Sequence, residues 1–309
     1  MRNGVLIHPE ELNKKQIDRV KNLGITTLAL HPRGGEKAHE TLTEMLSMLE
    51  NEEYISLIDY ARSLGIEIEY EFHAASYLLP RELFDDHPDY FRMDENGKRT
   101  PDLNLCVSSK EALSIVVKRA KELAKKLYKS TPNYYFWLDD VKNKSCRCPK
   151  CRELSPSDQQ LTVMNAIAKE LRKSNKNARL AYLAYFECID TPKTVRPADG
   201  IFLEYAPIER DMHKRLSETE GNETNRIKDL LSYFGKEGSK VLEYWLDNSL
   251  FSKWKKPPVR FLPDNKLIKD DISYYLNLGF ENITSFACFL GEDYEELYGE
   301  ADISSFKNI

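Results

Sequence analysis

Nowhere in this chain do about 18 apolar residues run together, the length a membrane-spanning helix needs, so no span is expected. The opening Met1-Arg2-Asn3-Gly4-Val5-Leu6-Ile7-His8 has no long apolar stretch, which argues against a secretory signal and gives a cytoplasmic expectation. No Gly-x-Gly-x-x-Gly follows any apolar run, so the dinucleotide fingerprint is missing. An excess of one charge is missing too. The 50 acids and 45 bases leave a net charge of −5, and the bases are scattered along amphipathic segments. That argues against a general nucleic-acid or anionic-membrane binder. There is no Pro-, Gly- or Ser-rich linker and no low-complexity tract, so all 309 residues read as one domain, 1–309. Cysteine is sparse, with six in the chain, and in a reducing compartment these are thiols or metal ligands rather than disulfides.

Short apolar runs alternating with longer amphipathic ones fill the chain. Strand candidates are Gly4–His8, Thr26–His31, Glu67–His73, Tyr134–Asp139, Leu180–Phe186, Gly200–Tyr205, Val241–Trp245 and Asn282–Phe289. Helical patterns cover Glu10–Asn22, Glu40–Leu64, Ser109–Lys129, Ser157–Ser174, Glu218–Gly235 and Asn265–Gly279, with Ser109 and Ser157 as N-cap candidates. Gly24, Gly65 and Gly279 stand where a helix stops and a strand starts. This β-α rhythm predicts a parallel sheet, and eight strands predict closure into an α/β (β/α)8 barrel, with a doubly wound open sheet as the alternative. A long insertion, Ser76–Cys106, follows the third strand and holds the turn signal Asn96-Gly97.

In such a barrel the C-terminal strand ends carry function. Those ends read His8; His31 and Arg33; Glu71 and His73; Asp139 and Asp140; Tyr185 and Glu187; Glu204 and Tyr205; Trp245, Asp247 and Asn248. Any one of them can be a loop anchor; the recurrence is what points to a site. Carboxylates with aromatic faces suit carbohydrate, because acids bond hydroxyls and rings stack on sugar C–H faces.

The fourth strand ends in two adjacent acids, Asp139 and Asp140. Close carboxylates repel, which raises one pKa and allows one to donate a proton while the other stays an anion. That is the division of labour of glycoside hydrolysis. A helix cap, or an ion pair with Lys142 or Lys144, is the structural alternative. Directly after comes Cys146-Arg147-Cys148-Pro149-Lys150-Cys151, compact enough for its thiolates to share one Zn²⁺. Cys106, at the exit of the insertion, is the best fourth ligand, with a His or Asp as substitutes. Free thiols are the alternative. A full thiolate shell leaves no position for water, so the ion would be structural and catalysis would need no cofactor. Cys188 and Cys288, in apolar strand contexts, read as packing residues.

Several of these pieces together resemble a known family. They are Glu71-Phe72-His73-Ala74 with Leu78-Leu79-Pro80, then His87-Pro88-Asp89-Tyr90-Phe91, Asn96-Gly97-Lys98-Arg99, Asn104-Leu105-Cys106-Val107-Ser108, and Asp139-Asp140 with Cys-x-Cys-x-x-Cys. The combination is similar to the domain of unknown function family 4838, clearly over about residues 65 to 190. The resemblance implies a TIM barrel related to glycoside hydrolases, notably β-hexosaminidases, O-GlcNAc hydrolases and α-glucuronidases. An Asp-Asp pair ends strand four in the O-GlcNAc hydrolases. By that likeness Asp139 would orient a substrate 2-acetamido group and Asp140 would be the general acid/base of a substrate-assisted reaction.

The expectation is therefore a glycoside hydrolase acting on an N-acetylhexosamine- or uronic-acid-containing glycan, its partner a carbohydrate and neither nucleic acid nor membrane. Two alternatives stay open: a non-catalytic carbohydrate-binding barrel, and a metal-dependent hydrolase or isomerase with His8, His31, His73 and Glu71 as ligands. The sequence leaves the oligomeric state open.

Overall fold

A computed structural model describes residues 2–102, 104–219 and 221–307. The regular elements, in chain order, are β1 (Arg2–Ile7), α1 (Lys14–Asn22), β2 (Thr27–Leu30), α2 (Ala38–Met48), α3 (Glu52–Ser63), β3 (Glu67–His73), α4 (Ala75–Leu78), α5 (Lys110–Lys126), β4 (Asn133–Trp137), α6 (Pro156–Ser174), β5 (Arg179–Ala184), β6 (Ile201–Tyr205), α7 (Asn222–Phe234), β7 (Lys240–Glu243), α8 (Asn248–Phe251), α9 (Asn265–Leu278), β8 (Asn282–Phe286) and α10 (Glu292–Tyr298). The strands follow one another from β1 to β8 around a closed barrel, and the registered pairs are parallel. This is the (β/α)8 architecture expected from the β-α rhythm.

Two local expectations are corrected. The amphipathic stretch Glu40–Leu64 is two helices, because Asn51 accepts the Glu53 and Tyr54 amides and starts α3 afresh. The N-cap of α6 is Ser155, not Ser157: Ser155 and Asp158 cap each other's backbone N–H in a capping box with Pro156 at the first helical position. Ser109 does cap α5, through the Ala112 amide. Gly279 ends α9 in the left-handed conformation, at φ 105°.

The chain divides into two compact units. One comprises residues 1–31, 51–69 and 203–309. It holds β1, β2, β7 and β8, with Val5, Leu6, Leu28, Val241 and Ile283 fully buried. Within it the β6–β7 register sets Glu204 beside Lys240, and Lys240 Nζ lies 3.2 Å from Glu204 and 3.7 Å from Glu69. The other unit comprises residues 32–50 and 70–202. It holds β4, β5, α5, α6 and the insertion, with Phe72, Phe136, Leu161, Ile167 and Tyr182 in its core. In the insertion, Phe91 bridges Leu105 and Met93 bridges Arg99 in antiparallel fashion, and Gly97 takes the positive φ the turn requires.

Candidate active site at the exit of strand four

β4 stops at Trp137, so Leu138, Asp139 and Asp140 lie just beyond the last strand residue. The two carboxylates have different surroundings. Asp139 is buried, with its side chain 1% exposed. Its Oδ1 accepts the Ser76 amide (3.2 Å) and hydroxyl (3.3 Å), its Oδ2 pairs with the Arg81 guanidinium at 3.2 Å, and its own amide donates to Asn104 Oδ1 at 3.2 Å. Burial pushes its carboxyl above the usual range, against the pull of Arg81 and the Ser76 amide. Asp139 thus ties the β4 exit to both ends of the insertion.

Asp140 is only half-buried and is held differently. Its Oδ1 accepts the Tyr185 phenol at 2.9 Å. Its Oδ2 lies beside Gly34, where an added Cβ would stand 3.2 Å from that oxygen and 2.7 Å from His73 Cδ2. Gly34 therefore leaves a niche shared by Asp140 and the His73 ring. His73, the last residue of β3, donates from Nδ1 to the Leu138 carbonyl at 2.5 Å and packs edge-on against Trp137. Glu71, two residues earlier on β3, is fully buried, while Arg33 beside the niche glycine is exposed. Glu187 accepts the Ser145 hydroxyl at 2.5 Å. A cleft of about 40 Å³ beside Asp139 is lined by Asn104, Tyr185, Phe186, Glu187 and Gln160, room for about one water rather than a sugar ring.

In the other unit, the strand-end residues have framework contacts. His8 Nδ1 meets the His31 carbonyl at 2.8 Å, and the two imidazoles stack 6.1 Å apart. Glu204 belongs to the Lys240 ion cluster. Tyr205 donates to Glu223 at 2.5 Å and packs on Tyr275 and Phe280. The Trp245 indole donates to Asp271 at 3.2 Å between Tyr275 and Phe306. Asp247 caps α8 through the Ser249 and Leu250 amides, and burial pushes its carboxyl up to about 6. Asn248 donates to the Val259 and Phe289 carbonyls. Sequence reasoning missed Glu11, which accepts the His8 amide at 3.0 Å and the Phe289 amide at 2.7 Å, its carboxyl raised to about 7 by burial. It also missed Gly34, Ser76 and Arg81, whose partners are remote in sequence.

Cys106, Cys146, Cys148 and Cys151 are buried free thiols whose sulfurs all lie within 4.8 Å of one another. Among the described residues this is the one group of three or more His, Cys, Asp or Glu side chains close enough to hold an ion, and no histidine belongs to it. Nor does any helix among the described residues have the length and apolarity to cross a membrane.

The sequence profile of the family described as "Domain of unknown function (DUF4838)" matches residues 44–297. No curated protein matches the chain by sequence. Among solved structures, a β-galactosidase from Rahnella sp. R3 shares 11% identity over 93% of this chain and 50% of its own, with a TM-score of 0.55. An O-GlcNAc hydrolase from Thermobaculum terrenum shares 11% identity over 94% of this chain and 56% of its own, at 0.53. A broad-specificity GH5-4 endoglucanase from Clostridium longisporum shares 10% over 89% of this chain and 75% of its own, at 0.50. At these identities the likeness is one of fold, and the chain spans about half the length of the first two.

Proposed function

The chain belongs to the DUF4838 family, and from that premise we propose that it is a glycoside hydrolase acting on an N-acetylhexosamine- or uronic-acid-containing glycan, with Asp140 as its general acid/base. The observation that carries the reading is the unequal setting of the two acids. Asp139 has both oxygens occupied by protein groups, whereas Asp140 is held by one phenol and keeps Oδ2 toward the Gly34 niche. A proton donor must be able to reach a leaving oxygen, and the acid with fewer protein contacts, Asp140, suits that role better.

For a 2-acetamido sugar the reaction balances without an enzyme nucleophile. The acetamido oxygen attacks the anomeric carbon, the glycosidic bond breaks, and Asp140 gives its proton to the departing oxygen. Water then adds to the anomeric carbon of the resulting oxazolinium ion and gives its own proton to Asp140, which restores the acid. The orienting role implied for Asp139 requires one of its oxygens to leave Ser76 or Arg81 and meet the acetamido N–H. For a sugar without that group, a second carboxylate would be needed as nucleophile or base. Zinc on the four cysteines would serve the framework and take no part in this chemistry.

The test is turnover of aryl β-glycosides of N-acetylglucosamine, N-acetylgalactosamine and glucuronic acid. The reading expects at least one to be cleaved, and Asp140→Asn to lower that rate by about 10²-fold or more. Binding on a glycan array with no cleavage of any aryl glycoside would point instead to a non-catalytic carbohydrate-binding barrel.

A further inference from the structure

The four clustered cysteines are not explained by glycoside hydrolysis. We propose that Cys106, Cys146, Cys148 and Cys151 bind one Zn²⁺, and that this ion clamps the insertion onto the loop that follows β4 and so fixes the backbone of Asp139. Two of the sulfur–sulfur distances are those of a tetrahedral tetrathiolate, and the others are short enough to close onto one ion. Zinc–sulfur bonds of about 2.3 Å directed to the corners of a tetrahedron separate the sulfurs by about 3.8 Å. Cys106 Sγ lies 3.7 Å from Cys148 Sγ and 3.8 Å from Cys151 Sγ, and all four fall within 4.8 Å. Disulfide sulfurs would lie about 2 Å apart. An iron–sulfur cluster needs its cysteines spread around several metal atoms, so this spacing suits a single ion.

The surroundings suit an anionic metal site. Four thiolates and Zn²⁺ leave two negative charges. The Met93 amide points at Cys146 Sγ from 3.4 Å and the Arg99 guanidinium from 3.8 Å, while the Ser108 hydroxyl lies 3.2 Å from Cys106 Sγ and 3.6 Å from Cys148 Sγ. Such outer contacts hold and tune thiolate ligands. A cleft of about 290 Å³ lined by Arg99, Cys106, Ser108, Cys148 and Lys150 gives the ion a way in.

The consequence for the active site follows from chain connectivity. Asn104, two residues before Cys106, accepts the Asp139 amide, and its Nδ2 reaches the Lys144 carbonyl at 3.5 Å. On the far side the Cys146 amide donates to Gln159 of α6. A metal linking Cys106 to the 146–151 loop therefore ties both flanks of Asp139–Asp140 together. The effect on catalysis rests on the hydrolase reading; the metal site does not.

The experiment uses the purified chain, prepared without chelator. Elemental analysis is expected to give one zinc per chain, and replacement by Co²⁺ to give the thiolate charge-transfer and intense visible bands of a tetrahedral sulfur site. Cys146→Ser and Cys151→Ser should each lose the metal, while Cys188→Ser and Cys288→Ser keep it. If a ligand variant fails to fold, stoichiometry and the cobalt spectrum of the unaltered chain decide. Metal-free protein with six titratable thiols or with disulfides, iron in place of zinc, or zinc retained in the Cys146→Ser, Cys151→Ser double variant would each overturn the proposal. These readouts need no glycosidase activity, so a chain with zinc and no turnover would sink the hydrolase reading alone.

Discussion

Tyr185 donates its phenolic proton to Oδ1 of Asp140 across 2.9 Å, from the residue after β5 to the exit of β4. The bond fixes which way the carboxylate faces. With Oδ1 engaged, Oδ2 packs against Gly34, next to the His73 ring. A hydrogen bond to a charged acceptor is worth roughly 1.5–3 kcal/mol, enough to hold one rotamer of a half-exposed acid. Tyr185 is in this sense a positioning residue for Asp140.

Tyr185→Phe should therefore lower kcat on a cleaved aryl glycoside by roughly tenfold or more, with KM little changed, since the phenol is worth about 1.5–3 kcal/mol to the carboxylate. A phenol without that role would leave turnover where it is, so a kcat equal to that of the unaltered chain would refute it.

Gly34→Ala places a methyl group 2.7 Å from His73 Cδ2, closer than carbon atoms tolerate. The ring has little freedom to give way, because Nδ1 is bound to the Leu138 carbonyl and Trp137 packs against its edge. The expected cost is about 1–3 kcal/mol of stability, read by denaturant unfolding, with a larger loss in turnover than that cost explains. Unchanged stability and activity would mean that the niche is not constrained.

The barrel was legible in the sequence because its signal repeats: each β-α unit restates an apolar run, a helix and a stop such as Gly24 or Gly65. Single-unit details were less so. The helix break at Asn51 hides inside an uninterrupted amphipathic pattern. Glu204 and Tyr205 were both read as strand-end site residues, yet neighbours on a strand point to opposite faces. Glu204 meets Lys240, and Tyr205 goes to Glu223 of α7. Sequence gives the alternation but not its phase. Gly34, Arg81 and Glu11 escaped notice because their importance comes from partners such as His73, Asp139 and Phe289, far away along the chain. Cys146, Cys148 and Cys151 were readable from their short spacing in one loop, and Cys106 from its place at the exit of the insertion before the same β-α unit.

Stability should rise on mild acidification. Glu11 titrates at about 7 in the folded chain against 4.5 without the fold, because burial disfavours its anion. The folded state thus binds this proton more tightly than the unfolded state does. Its contribution is fully present below pH 4.5 and is lost as pH climbs through about 7, a span of roughly 3 kcal/mol. Asp247, raised from 3.8 to about 6, adds in the same direction over a lower window. Calorimetry should show Tm higher at pH 6 than at pH 8, and the slope between them should flatten in Glu11→Gln. A slope that persists in that variant would assign the effect to other groups.

Removing Arg81 should cost more than removing both members of its pair. Arg81→Met leaves the Asp139 carboxylate buried with only Ser76 and backbone for company, a loss of about 3–5 kcal/mol by the usual behaviour of broken buried pairs. Asp139→Asn on the same background removes the stranded charge while keeping an acceptor for the Ser76 amide, so the double variant should recover a good part of that loss. Urea unfolding of the two singles and the double closes the cycle. Additive losses would mean that the two side chains do not interact, and that Asp139 is held by Ser76 and Asn104 alone.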